Sequence, residues 1–212
     1  MASDQISIDA LAAWLRRFQH LVADNRGYLT ELDSAIGDAD HGANLDRGMT
    51  AVVAKLDEAP SPDAADLFKR TGMTLVSTVG GASGPLYGTF FLRLGTGLGA
   101  VTSVGAAELG AGLRAGLEGV VQRGKAEPGD KTMLDALLPA VEAFDAAGVD
   151  SVTDAVHAAF EAARAGRDDT EPLVARKGRA SYLGDRSAGH LDPGATSTAL
   201  LFQALDETLA GR

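Results

Sequence analysis

The sequence predicts an all-α fold, a bundle or barrel of about eight antiparallel amphipathic helices, and three observations point to it. Apolar residues recur at three- and four-residue steps along most of the chain. Ala, Leu and Gly dominate while aromatics make up only 5%, a balance that favours closely packed helices over strands. The stretches between apolar stripes are short and hold Gly, Pro and Asp, which favours antiparallel neighbours.

Ile8, Leu11, Leu15, Phe18 and Val22 form the first stripe, with Trp14 beside it. Leu45, Met49, Val52 and Leu56 form the next, and Asp57 to Asp63, with Pro60 and Pro62, reads as a turn. The uncharged run Thr71 to Leu92 is broken by Gly80, Gly81, Gly84 and Pro85 and reads as a loop flanked by buried helices. Leu109, Leu113 and Leu117 make a stripe that ends in the Gly124 to Gly129 breaker. Asp130 then reads as the N-cap of the helix carrying Leu134, Leu138, Val141 and Phe144. Val152, Val156 and Phe160 follow. Asp192 and Pro193 open the last helix as N-cap and first helical residue, ahead of Thr198, Leu201, Leu205 and Leu209. Each stripe is one face of a helix that needs a partner. No strand is predicted. Arg176 to Ala195 carries no periodicity, and long unpatterned connections of this kind are often functional.

The length of 212 residues fits one large domain or two small ones, and 45% hydrophobic residues are ample for a core. The net charge of −10 and the lack of any basic run beyond Arg176, Lys177 and Arg179 argue against a nucleic-acid partner. An acidic chain can take a phosphorylated ligand tightly only when divalent cations screen the repulsion. With no cysteine, disulfides, thiolate nucleophiles and cysteine–zinc sites are excluded. The start of the chain lacks the basic and apolar regions of a signal peptide. Thr71 to Leu92 is too rich in Gly, Pro, Ser and Thr for a membrane span. A cytoplasmic protein with no membrane partner is expected.

Asp33, Asp38 and Asp40 run into His41, Gly42 and Asn44. Carboxylates so close repel one another and gain most with a cation between them; hard oxygen ligands suit Mg²⁺ or Ca²⁺. Plain helix capping is the competing account. Gly80-Gly81-Ala82-Ser83-Gly84 is small enough for backbone N–H groups to approach an anion, although a packing turn explains most such runs. Arg123 to Thr132 places small and charged residues before a helix, and Arg179 is a candidate phosphate clamp. His20 and His157 read as surface or packing residues, and His190 lies in the long loop. Of the histidines, only His41 adjoins the aspartates.

Taken together, Ile36-Gly37-Asp38-Ala39-Asp40-His41-Gly42, Gly80 to Thr89, Arg123 to Thr132 and Arg176 to Thr196 resemble the L subunit of dihydroxyacetone kinase. The resemblance runs over nearly the whole chain in the family's order. It implies a single unit over residues 1–212, a barrel of eight antiparallel helices with the nucleotide at one end. It implies that Asp33, Asp38 and Asp40 hold two Mg²⁺ ions on the phosphates of ADP or ATP. Nucleotide contacts are implied for His41, Gly42, Ala43, Asn44, Ala82, Ser83, Gly124, Met133, Arg179, Asp192, Pro193 and Gly194. The implied partners are a K-type subunit that holds dihydroxyacetone and an M-type phosphohistidine phosphocarrier that rephosphorylates ADP in place. Three competitors remain open: an L-type subunit for a related short ketose or tetrose using free ATP, a nucleotide-sensing interaction module, and a plain helical structural protein.

Overall fold

The stripes become helices whose ends fall at the breakers. The structure is a computed structural model that describes residues 5–211. Among these, nine α-helices are present: α1 Ile8–Asp24, α2 Arg26–Ile36, α3 His41–Glu58, α4 Ala64–Thr78, α5 Ser83–Leu98, α6 Ala106–Gly124, α7 Leu134–Ala147, α8 Val152–Asp168 and α9 Pro193–Ala210. A 3-10 segment, Arg179–Ser187, lies in the connection between α8 and α9.

Eight of the nine close a ring. Helix α1 packs on α3, and α3 to α9 each pack on the next, until α9 returns to α1. Successive helices alternate in direction, so α3, α5, α7 and α9 all begin at one end and α1, α4, α6 and α8 at the other. The expected eight-helix barrel is therefore present, with α2 lying across one end against α3. Inside the ring, Trp14, Phe68, Phe90 and Phe91 form an aromatic cluster, with Phe68 stacked on Phe91 at 5.9 Å. The Trp14 indole donates to Leu201 O at 2.9 Å, so its one polar atom is satisfied in the core.

Three expectations are corrected. The uncharged run Thr71 to Leu92 is helix on both sides of a short break, since α4 and α5 leave out only residues 79–82. Its hydroxyls mislead because they bond inward along the helix: Thr71 to Leu67 O, Thr74 to Arg70 O, Thr78 to Thr74 O and Thr89 to Pro85 O. Its glycines mislead because they mark a helix crossing; a Cβ on Gly72 would lie 2.6 Å from Gly88 O. Asp130 does not cap α7. Its carboxylate accepts from Glu127 N at 2.8 Å, inside the turn, while Asp135 accepts from Thr132 N at 2.7 Å. A minimal antiparallel pair, β1 Ile6–Ser7 with β2 Ser103–Val104, ties the chain start to the entry of α6. Two residues per strand carry too little alternation to read from sequence.

Candidate metal and anion site

The end of the barrel where α3, α5, α7 and α9 begin holds a cavity of about 510 Å³. Its wall includes the starts of all four: Asp40 and His41, Ala82 and Ser83, Met133 and Leu134, Asp192 and Pro193. Helix starts carry unpaired backbone N–H groups and a partial positive charge, so they favour anions. The starts of α3, α5 and α7 receive no hydrogen bond from an N-cap side chain. At α9 the Asp192 carboxylate accepts from Ala195 N at 2.7 Å.

On one side of the cavity the chain between α2 and α3 folds the aspartates together. One oxygen from each of Asp33, Asp38 and Asp40 can be chosen so that all lie within 4.8 Å of one another. Asp33, on the last turns of α2, accepts from Asp40 N at 2.8 Å and His41 N at 3.1 Å through one oxygen. These bonds fix the turn. Ala39 takes a left-handed backbone, φ 62°, to make it. Gly37 is glycine because a Cβ there would overlap the other oxygen of Asp33. That oxygen is thus kept clear, and a small hard cation fits between the three carboxylates. Arg179 Nε lies 3.0 Å from Asp38 Oδ2, an ion pair exposed at the mouth.

His41 is buried behind the aspartates. Its Nδ1 is 3.0 Å from Ser83 Oγ and its Nε2 is 2.9 Å from Ser197 Oγ. Burial pushes its pKa below the ordinary value, against the opposing pull of Asp33 and Asp40. Tyr87 OH lies 2.7 Å from Ser197 Oγ, and burial raises its pKa to about 12. This chain of polar groups ties α3, α5 and α9 together at the cavity floor. Asp192 is pushed up to about 7, first by burial and then by Asp135; the N–H groups of Ala195 and Gly194 and the nearby Lys131 act the other way. Leu86, Val120, Val121, Met133 and Leu134 give the lining an apolar part. A planar base suits such a wall, and phosphates suit the helix starts.

Of the residues named from sequence, Asp33, Asp38, Asp40, His41, Ala82, Ser83, Gly124, Met133, Arg179, Asp192, Pro193 and Gly194 all line this cavity. Gly42, Ala43 and Asn44 lie behind it on α3. A Cβ on Gly42 would overlap Arg26 O, so this glycine sets the crossing of α3 on α2. Asn44 accepts from Arg47 Nη2 at 2.7 Å and backs the glycine turn, where a Cβ on Gly80 would come within 3.0 Å of it. His190 is exposed and outside the lining. Sequence reading missed the hydroxyl chain of Tyr87, Ser197 and Thr198, which looks like ordinary helix surface, and the buried Lys131.

A closed ring of eight helices with a carboxylate trio and several helix starts on one cavity defines an all-α protein whose cavity suits a cation and an anion together. Residues 35–207 match the Dak2 family, described as DAK2 domain, and the chain belongs to that family. It is 48% identical to the ADP-binding subunit of the phosphoenolpyruvate-dependent dihydroxyacetone kinase of Escherichia coli (strain K12), over 94% of this chain and 96% of that one. It is 43% identical to the corresponding phosphotransferase-system-dependent subunit of Lactococcus lactis subsp. lactis (strain IL1403), over 97% of this chain and all of that one. Its fold is similar to the dihydroxyacetone kinase from C. freundii solved in complex with AMP-PNP and Mg²⁺. The TM-score is 0.70 at 31% identity, over 92% of this chain and 33% of that one. The chain thus spans about a third of that larger kinase. Among the described residues no helix is long and apolar enough to cross a membrane.

Proposed function

We propose that this chain is the nucleotide-holding subunit of a dihydroxyacetone kinase, a single L-type unit of the cytoplasm. It holds ADP or ATP with two Mg²⁺ ions and presents the terminal phosphoryl group to dihydroxyacetone on a separate K-type subunit. An M-type phosphohistidine phosphocarrier then rephosphorylates the ADP in place. The observation that carries this reading is the meeting of four helix starts and a three-carboxylate cluster on one cavity.

Asp33, Asp38 and Asp40 would hold the cations, which when bound neutralise phosphate oxygens and offset charge developing during transfer. The rest of the work is positioning. Backbone N–H groups at Ala82 and Ser83, on the cavity wall, would hold phosphate oxygens, and His41 fixes the Ser83 hydroxyl at 3.0 Å. Arg179, paired with Asp38 at the mouth, is placed to turn its guanidinium onto a phosphate. Asn44 and Gly42 act from behind by shaping the glycine turn and the α2–α3 crossing. Leu86, Val120, Val121 and Leu134 provide the wall for the base.

The test is sugar-phosphate formation by the chain alone, then with K-type subunit titrated in, with dihydroxyacetone and with a tetrulose. Activity is expected only with the partner, and ADP is expected in the supernatant of denatured, magnesium-replete protein. Turnover by the isolated chain would overturn the division of labour. Absence of retained ADP, with free ATP supporting turnover, would replace the phosphocarrier by an exchanging kinase.

A further inference from the structure

Lys131 has no part in the chemistry set out above, yet it is the one lysine among the largest fully buried side chains, at 1% exposure. It precedes α7 in a left-handed backbone, φ 63°, which L residues seldom adopt without cause. Its ammonium donates to Ser187 O at 2.7 Å, Leu173 O at 3.0 Å and Glu171 O at 3.3 Å. A lysine head has three N–H donors, so all of them go to one segment, the connection between α8 and α9.

That connection has little else to hold it. No residue between Ala163 and Ala199 belongs to the main core cluster. The connection contributes Ala175 and Ala180 to a separate small cluster with Ile36, with Leu183 packed against it. Burial of two alanines orders a loop weakly, because each contributes only a methyl group. Polar ties carry the rest: Arg176 N to Asp130 O at 3.0 Å, Gly189 N to Glu171 O at 2.8 Å and Ala175 N to Ser187 Oγ at 2.8 Å. The three ammonium bonds are charge-assisted and converge on one atom, which makes them the strongest of the set. The same connection supplies Lys177, Gly178, Arg179 and Ala180 to the cavity wall.

We propose that Lys131 is a positioning residue of the nucleotide site: a three-pronged latch that holds the α8–α9 connection, and Arg179 with it, over the aspartates. This rests on the reading of the cavity as a nucleotide site. A charged head is tolerated at this depth because carbonyl dipoles surround it and Asp192 and Glu171 offset burial. Lys131 lines the cavity just ahead of α7, but its ammonium is turned onto the three carbonyls of the connection, so its effect on ligand passes through the arm it holds.

The experiment is a double-mutant cycle in the full chain, with Lys131→Met measured in the parent and in Arg179→Ala. Amide exchange across residues 171–189 is expected to accelerate in Lys131→Met without nucleotide, while α4 and α5 keep their protection. Magnesium–ADP affinity, by calorimetry, is expected to fall roughly tenfold in the parent background and far less in Arg179→Ala, because neighbours acting through one arm are not additive. Equal losses in both backgrounds, or unchanged exchange in 171–189, would overturn the latch. Should Lys131→Met fail to fold, Lys131→Cys gives a single thiol in a chain that has none. Alkylation in denaturant with bromoethylamine, followed by refolding, rebuilds an ammonium at nearly the same reach. Loop protection is expected to return with it, and its failure to return in folded protein would refute the proposal. A parent chain that does not bind magnesium–ADP would sink the functional reading instead, which the exchange measurements, made without nucleotide, distinguish.

Discussion

The two ends of the barrel solve the same problem in opposite ways. At the end away from the cavity, the helix starts are satisfied from within the chain. Ser7 accepts from Ala10 N, Asp63 from Asp66 N and Ser151 from Asp154 N, at 2.8 to 3.2 Å. At α6, Gly105 N finds Glu108 Oε2 at 3.1 Å. At the cavity end the caps of α3 and α7 come from residues other than the N-cap: Asp33 accepts from His41 N at 3.1 Å and Thr132 Oγ1 from Leu134 N at 3.2 Å. The start of α5 receives no N-cap side-chain bond, and three acidic side chains gather into one cluster nearby. An N-cap contributes about 1 kcal/mol to stability. The open start of α5 is thus a standing cost, and a ligand meeting it would offset that cost. One end is closed by its own N-caps, and the other brings four helix starts and a carboxylate trio onto one cavity.

The sharpest way to break this contrast is to remove the cation cluster. Asp40→Ala is expected to weaken magnesium–ADP binding by more than about 100-fold, ~2.7 kcal/mol, since the remaining carboxylates then face phosphate unscreened. Circular dichroism and the ligand-free melting temperature should stay near those of the parent. Calorimetry showing parental affinity would remove the metal assignment.

A smaller effect concerns Asp192, the N-cap of α9 at the cavity end. Its folded pKa of about 7 stands above the ordinary 3.8, so the ligand-free folded state binds more protons in that window. Stability should therefore fall as pH rises from about 4 to 7 and level off above. Asp192→Asn keeps an acceptor for Ala195 N and should flatten this part of the profile. Denaturant midpoints from pH 4 to 8 decide it, and equal slopes in the two proteins would contradict the burial argument.

The smallest effect sharpens the contrast from the other side. Asp63→Ala or Ser151→Ala should cost about 1 kcal/mol of unfolding free energy. Nucleotide affinity should not change, because both caps lie at the far end of the barrel. A loss of affinity in these variants would mean that the ends are coupled and not separate in function.

Much of this molecule is legible from residue order. The stripes through Leu15, Val52, Leu113 and Leu205 locate their helices because one buried face every 3.6 residues leaves a periodic trace. Asp192-Pro193 marks the start of α9 because a cap and a fixed φ are local properties. The spacing of Asp33, Asp38 and Asp40 is also local: a single turn, shaped by Gly37 and Ala39, brings them together. Other features left no such trace. Helices α4 and α5 are hidden by glycines and hydroxyls whose partners lie across a helix crossing or back along the helix itself. Asp130 carries the signature of an N-cap, but its own turn takes the carboxylate before the helix begins.

What the sequence by itself determined is therefore whatever a few neighbouring residues enforce: helix faces, turns, most caps, the carboxylate trio and, through alternating helices, the prospect that every second helix starts at the same end. Only the tertiary structure decided that those starts share one cavity. It also decided that His41 bridges Ser83 and Ser197 across three helices, and that the ammonium of Lys131 belongs to carbonyls forty and more positions away. The reason is physical. A buried polar group must find a partner wherever the packed chain offers one, and that choice is made by closure of the ring, not by the residues beside it.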